Sequence, residues 1–415
     1  MKIHFMGIGG SGISAVARIA KEQGHEVTGC DLEESSITHR LRKDGIPIEI
    51  GHSATHLKKA DLLVHTPAVF YQSETHPEYK KAKLAMIWEE FMAKYLHKNK
   101  FVVAVSGTHG KGTTTAMLSW ILEQASFDPT CEIGANVLSW DKKNYRIGKS
   151  KYFVFEADEF REKFLLYKPD LAIITSLEMD HPEHFKNLDH VVTAFRKFAA
   201  KAKTLVINED LKKHKLTNKA IYYKPLKLKL KFPGEHIQAD AGAAWAAAKA
   251  LGVKDRDIKA ALQSFTGLER RFEFRGEVDG VKIFDDYAHH PTAVTYNVKA
   301  ARELYPKKKI WVVFQPHMHS RLETLFADFA KSLRLADRVI VTDVFTRRES
   351  GITKPSGKDL ALAVGSPKAT YVGGDLQNVA NFVSRNTKKG DVVLVLGAGD
   401  VYKVSDYLLS GGDKQ

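Results

Sequence analysis

Along this chain, short runs of aliphatic and β-branched residues alternate with stretches whose apolar positions recur at helical spacing. Runs at residues 2–6, 62–65, 101–105, 152–155 and 171–175 are almost wholly apolar, as strands covered on both faces must be. A second series follows at residues 281–284, 310–314, 339–341 and 392–396, again with helical patterns between. Strands alternating with helices predict an α/β fold of parallel, doubly wound sheets. Residues 84–100 read as helical and end in the basic stretch His97-Lys98-Asn99-Lys100, directly before a fresh strand, which predicts a domain boundary. An alanine-rich helical pattern over 239–262 gives way near Ser264-Phe265-Thr266-Gly267 to another β run, which predicts a second boundary. Residues 224–231, alternating lysine with leucine or proline, read as a solvated ribbon or linker.

Composition narrows this picture. At about 150 residues per domain, 415 residues suggest three domains, and 44% hydrophobic with 27% charged residues is a globular balance rather than a disordered one. The net charge of +14 points to anionic partners. With no nucleic-acid recognition motif, nucleotides are expected and nucleic acid is not. Apolar runs fall far short of the about 20 residues of a membrane span, and the N-terminal run resembles no secretory signal, so a cytoplasmic protein without membrane attachment is expected. Two cysteines, Cys30 and Cys131, stand far apart in no metal-ligand spacing, which indicates neither a zinc site nor a disulfide framework.

Chemistry gathers at strand ends. Gly7-Ile8-Gly9-Gly10-Ser11-Gly12 follows the first strand and opens a helix, a setting in which backbone N–H groups can approach a diphosphate. Asp31, about 20 residues on, is placed to meet ribose hydroxyls, so a dinucleotide or another nucleotide diphosphate fits. The strand at 101–105 leads into Ser106-Gly107-Thr108-His109-Gly110-Lys111-Gly112-Thr113-Thr114-Thr115, a phosphate-cradling loop. Lys111 would be its point charge, and a hydroxyl of Thr113 or Thr114 would lie near magnesium. Gly112 after the lysine departs from the strict P-loop form. Glu156-Ala157-Asp158-Glu159 and Met179-Asp180-His181 follow strands whose carboxyl ends share an edge with that loop, where carboxylate and imidazole could hold magnesium. Asp285-Asp286-Tyr287-Ala288-His289-His290-Pro291-Thr292 and Gln315-Pro316-His317-Met318-His319-Ser320-Arg321 follow two later strands and form a second candidate site.

Together these motifs resemble the Mur ligase family, the ATP-dependent amide ligases of peptidoglycan assembly, and within it the branch acting on UDP-N-acetylmuramate. Pro233-Gly234-Glu235-His236, Gly267-Leu268-Glu269-Arg270-Arg271-Phe272 and Gly397-Ala398-Gly399-Asp400 add to the match, which keeps the family's order over nearly the whole chain. The resemblance implies a Rossmann-like UDP-binding domain over 1–98, a central P-loop ATPase domain over 99–266, and a C-terminal Rossmann-like domain over 267–415. It implies ATP and Mg2+ as cofactors, UDP-N-acetylmuramate and L-alanine as substrates, and a monomer or homodimer. Gly107, Thr108, His109, Gly110, Lys111, Gly112, Thr113 and Thr114 would cradle ATP, with His236 near adenine, Arg271 on phosphate, Asp286 on ribose and His317 facing ATP. Thr113, Glu156 and His181 would ligate magnesium. Gly9, Gly10, Ser11, Gly12, Asp31, His289, His290 and Arg321 would bind the acceptor substrates, with Lys111, Glu156, His181, His290 and Arg321 carrying the chemistry.

Three positions depart from the family pattern: Gly112 replaces a threonine, Met318 an arginine for the amino-acid carboxylate, and Ile237 an asparagine. The stretch 208–233 is also short, which predicts a central domain lacking some peripheral strands. A ligase attaching a whole tripeptide to the same nucleotide sugar is the alternative in the family, and an NAD-dependent oxidoreductase the alternative outside it.

Overall fold

The computed structural model describes residues 1–70, 75–346 and 354–411. The chain divides into two compact units. One comprises Met1–Glu178, Asp189–Lys224 and Asp240–Thr266; the other comprises Met179–Leu188, Pro225–Ala239 and Gly267–Gln415.

The first unit holds two sheets. Strands β1 (Lys2–Met6), β2 (Glu26–Asp31), β3 (Ile48–Ile50), β4 (Leu62–His65) and β5 (Ala85–Ile87) are parallel in the order β3-β2-β1-β4-β5. The order reverses at β1, so the glycine loop that follows it sits at the switch point where ligands enter such sheets. Residues 85–87, expected as helix, pair with β4 as an edge strand, and two short helical turns, Trp88–Phe91 and Met92–Leu96, follow. Sheet pairing overrides helical periodicity here because Met86 finds a buried place beside β4.

The second sheet comprises β6 (Phe101–Ser106), β7 (Thr130–Val137), β8 (Lys143–Arg146), β9 (Tyr152–Glu156), β10 (Leu171–Ile174), β11 (Thr204–Asn208) and β12 (Ile221–Tyr223), in the order β12-β11-β10-β6-β9-β7-β8. It is parallel except at β8, which closes one edge antiparallel to β7. Again the first strand, β6, lies at the switch point. The alanine-rich stretch forms two helices, Glu235–Ala250 and Asp255–Ser264, because Gly252 at φ 90° ends the first.

In the second unit β13 (Glu273–Val278), β14 (Val281–Asp286), β15 (Ile310–Phe314), β16 (Arg338–Val341), β17 (Ala369–Tyr371) and β18 (Val392–Leu396) form a sheet in the order β13-β14-β18-β15-β16-β17. Period-two alternation sorts its side chains between two cores. Ile310, Val312, Phe314, Leu394 and Leu396 join one, while Trp311, Val313, Val393 and Val395 join the other. Residues 225–231 form no strand; the lysines are exposed, and Gln238 holds the segment through Leu226 N at 3.0 Å and Leu228 N at 3.1 Å. No helix among the described residues is long and apolar enough to cross a membrane.

Candidate active site

In the first unit, two loops of similar build end two central strands. After β1, the helix Ser11–Glu22 starts at Gly10 with no side-chain cap, which leaves amide donors at its N-terminus. Asp31, at the end of β2, accepts from Gly9 N at 2.7 Å and from Leu32 N at 2.8 Å. A Cβ at Gly9 would lie 2.8 Å from that carboxylate, so only glycine allows this brace. Asp31 therefore shapes the loop. Ser11 donates its hydroxyl to Gly134 O at 2.9 Å, tying the loop to β7.

After β6, residues 107–110 lead into the helix Lys111–Gln124. Lys111 Nζ donates to Gly107 O at 2.7 Å and to Glu159 Oε2 at 2.8 Å, with Asp158 3.8 Å away. Burial opposes the ammonium charge, but Glu159 and Asp158 outweigh it and hold the Lys111 pKa above its usual range. The loop is strung on β10's exit: His109 N donates to Ser176 Oγ at 2.7 Å, Thr108 accepts from Glu178 N at 2.9 Å, and His109 Nε2 lies 3.4 Å from Glu178. Thr114 is buried 3.4 Å from Asp240, whereas Thr113 is partly exposed.

Glu156, at the end of β9, accepts from Gly134 N at 2.8 Å. Its carboxylate lies where a side chain at position 112 would begin, 2.8 Å from a Cβ built on Gly112. The Glu156 carboxylate therefore lies over the helix start, in the space a side chain at position 112 would take. The adjoining Glu132 is fully buried, and desolvation foremost, then Glu156 and Glu89, raises its carboxyl well above the usual range.

The second unit brings together the exits of β14 and β15 with residues 179–188. Arg321 is buried and donates twice to Asp180 Oδ1, at 3.0 and 3.1 Å, while its third nitrogen lies 3.3 Å from His317 Nδ1. Burial pushes the Asp180 carboxyl up, but Arg321, followed by His181, His289 and His290, holds it well below its usual range. His181, at φ 55°, lies 3.2 Å from Glu183. His290 caps the helix Pro291–Leu304 through Thr292 N and lies 3.3 Å from Met179 O. Burial, then the positive Arg321, keeps the His289 imidazole well below its usual pKa.

Asp286 accepts from Phe272 N at 2.7 Å, and burial raises its carboxyl against the pull of Arg271. Arg271 lies over the Tyr287 ring at 5.3 Å. His236 stacks on Tyr296, 4.8 Å between centroids and 7° from parallel, forming a flat aromatic platform of the kind a purine can extend. Met318 adopts φ 68° and is buried, so its side chain fills the interior where an arginine was expected to face the substrate. Glu159 and Asp180 stand in clusters that the sequence pointed to, but their pairing with Lys111 and Arg321 was not foreseen, and Asp240, beside Thr114, was not singled out. Asp240 lies in an alanine-rich helix with no local signal.

Three family descriptions match in succession: Mur ligase family, catalytic domain, over residues 2–99; Mur ligase middle domain over 105–266; and Mur ligase, glutamate ligase domain, over 270–399. The UDP-N-acetylmuramate–L-alanine ligase of Caldanaerobacter subterraneus subsp. tengcongensis is 36% identical over 456 aligned positions, spanning 100% of this chain and 98% of that one. The ligase of the same name from Acetivibrio thermocellus is 38% identical, over 100% and 96% of the two chains. Among solved structures, the UDP-N-acetylmuramate–alanine ligase of Thermotoga maritima superposes with a TM-score of 0.83 at 31% identity, covering 99% of this chain and 98% of that one.

Proposed function

The chain belongs to the Mur ligase family, and we propose that it joins L-alanine to the lactyl carboxylate of UDP-N-acetylmuramate, converting ATP to ADP and phosphate. The observation that carries this reading is a pair of phosphate loops at the switch points of adjoining sheets in one unit, only the second bearing a lysine. The full-length relatives of that name support the choice of substrates.

The amides at Gly9, Gly10, Ser11 and Gly12 would receive the diphosphate of the nucleotide sugar. Gly107 to Thr114 would cradle the ATP phosphates, with Lys111 drawn between Glu159 and the transferring group. The lactyl carboxylate attacks the γ-phosphorus as the bond to the β-phosphate oxygen breaks, giving an acyl phosphate and ADP. The neutral amine of alanine then attacks the acyl carbon, and inorganic phosphate leaves as the amide forms. Water must be kept from the acyl phosphate, a task suited to closure of the C-terminal domain.

Magnesium fits the donors present. Glu156, oriented by the Gly134 amide, and the partly exposed Thr113 hydroxyl offer the hard oxygen ligands that the ion prefers, and His181 is the third candidate. Bound there, it would neutralise charge on the phosphates. His236 on Tyr296 would carry the adenine, Asp286 the ribose, and Arg271 and His317 the phosphates. Arg321, His289 and His290 would meet the amino acid. The enzyme would work in the cytoplasm as a monomer or homodimer.

ADP release with magnesium ATP and UDP-N-acetylmuramate, compared across L-alanine, glycine, L-serine and the stem tripeptide, tests the proposal. Turnover requiring L-alanine is expected. Turnover with tripeptide alone, or no acceptor-dependent ADP, would overturn it.

A further inference from the structure

Between the two phosphate loops runs a short stretch of backbone that the second sheet does not hold. β7 pairs with β9 only as far as Glu132, and its pairing with β8 breaks after Glu132 and resumes at Val137. Residues 133–136 form a bulge with no ladder partner among the described residues. Gly134, exposed within it, is held through side chains instead: its carbonyl accepts from the Ser11 hydroxyl at 2.9 Å, and its amide donates to Glu156 Oε1 at 2.8 Å. Gly134 thus joins the start of the first loop's helix to the carboxylate that lies over the start of the second.

Ser11 is itself fixed in place. Its carbonyl accepts from Asn144 Nδ2, on β8, at 2.9 Å and from the Ser14 hydroxyl at 2.7 Å. Asn144 is buried, and its Nδ2 also lies 3.4 Å from Ser11 Oγ. A serine hydroxyl has one proton to donate, and Gly134 O takes it. The same proton directed to a phosphate could not hold Gly134 as well.

Gly112 brings no side chain to the start of the second loop's helix, and the Glu156 carboxylate takes the space. Magnesium accepts oxygen ligands only in near-octahedral directions, so a carboxylate has to be aimed as well as present. The Gly134 amide aims it, and glycine suits that position, because a Cβ there would lie 3.1 Å from Glu156 Oε2 and crowd the carboxylate.

We propose that Ser11 is a positioning residue for magnesium: through Gly134 its hydroxyl sets the direction in which Glu156 presents its carboxylate to the ion. The proposal rests on the ligase reading above for the ion and for ATP, and adds to it a link between the loop for the nucleotide sugar and the loop for ATP. A residue paired in the ladder would have its amide and carbonyl committed to neighbouring strands, whereas the bulge lets Gly134 offer one to each loop. The Ser11 hydroxyl therefore serves the metal rather than the nucleotide sugar, although it stands in the sugar's loop.

The test measures Mn2+, as a substitute for magnesium, bound to the full chain in the presence of ADP and read from the free Mn2+ signal in electron paramagnetic resonance. Ser11 is exposed, so its variants should fold. Ser11→Ala should weaken Mn2+ binding about tenfold, and Ser11→Thr, which keeps a hydroxyl, should restore most of it. In steady-state rates, Ser11→Ala should raise the magnesium concentration for half-maximal velocity about tenfold while the KM for UDP-N-acetylmuramate stays within about twofold. The reverse pattern, a raised KM for the nucleotide sugar with unchanged Mn2+ binding, would place the hydroxyl on the diphosphate and overturn the proposal. In Glu156→Asp, whose shorter side chain is withdrawn from the Gly134 amide, Ser11→Ala should have no further effect on Mn2+. An equal loss in both backgrounds would mean that Ser11 acts by another route, and would overturn it too. Mn2+ binding with ADP does not depend on the acceptor, so a chain that refused L-alanine would defeat the substrate reading while this test still decided the role of Ser11.

Discussion

The loops after β1 and β6 share a strand, a glycine-rich turn and a helix N-terminus, yet they are electrostatically different. The first contains no cation, and its nearest acid, Asp31, accepts from the loop's own amide. The second places Lys111 between a backbone carbonyl and Glu159. Amides and a helix dipole suffice to hold a phosphate that stays intact. A phosphate that changes bonding partners develops charge, and a mobile cation with a counterion can follow it. On the proposed reading, the same local fold would serve binding in one place and reaction in the other.

The largest test of that contrast is Lys111→Ala, expected to lower kcat by about a thousandfold or more while the KM for UDP-N-acetylmuramate stays within a few-fold. Steady-state ADP release over both substrates measures it, and a loss confined to KM would erase the distinction between the loops. Gly9→Ala is the converse. Its methyl meets Asp31, so the KM for the nucleotide sugar should rise by about 10- to 100-fold with the KM for ATP little changed. Next in size is Gly112→Ala, whose methyl displaces Glu156; kcat should fall about tenfold and the magnesium concentration for half-maximal rate should rise.

The remaining effect concerns stability rather than rate. Burial raises the Asp285 carboxyl from 3.8 to about 7, against Arg270 and Arg275. The native state therefore binds a proton that the unfolded state has released, and stability from this group, full below pH about 4, is lost as pH rises towards about 7. Asp285→Asn should flatten that part of the unfolding free energy, a change on the order of 2 kcal/mol by denaturant titration at pH 4 and pH 7.

Much of the fold was legible because its strands are buried on both faces, and continuous apolar runs such as 310–314 and 392–396 admit few other readings. The edge strand at 85–87 was not, since a short strand beside helical turns carries no periodicity of its own. Among site residues, Lys111, Glu156 and the glycines stood out because phosphate chemistry demands those types next to strand ends, and Arg321 stood out as part of the polar cluster after the strand at 310–314. Their counterions were harder to see. Glu159 and Asp180 become partners only when the backbone turns them towards a buried cation, and the occupation of position 112 by Glu156 depends on how β9 lies against the helix Lys111–Gln124.

The sequence alone determined the alternation of elements, the two phosphate loops and the family, because these rest on local pattern and on residue types at fixed offsets. Tertiary structure alone decided which charges meet. Lys111 with Glu159 and Arg321 with Asp180 join residues 48 and 141 positions apart. The energy of such contacts depends on distance and burial in space, which no spacing along the chain records.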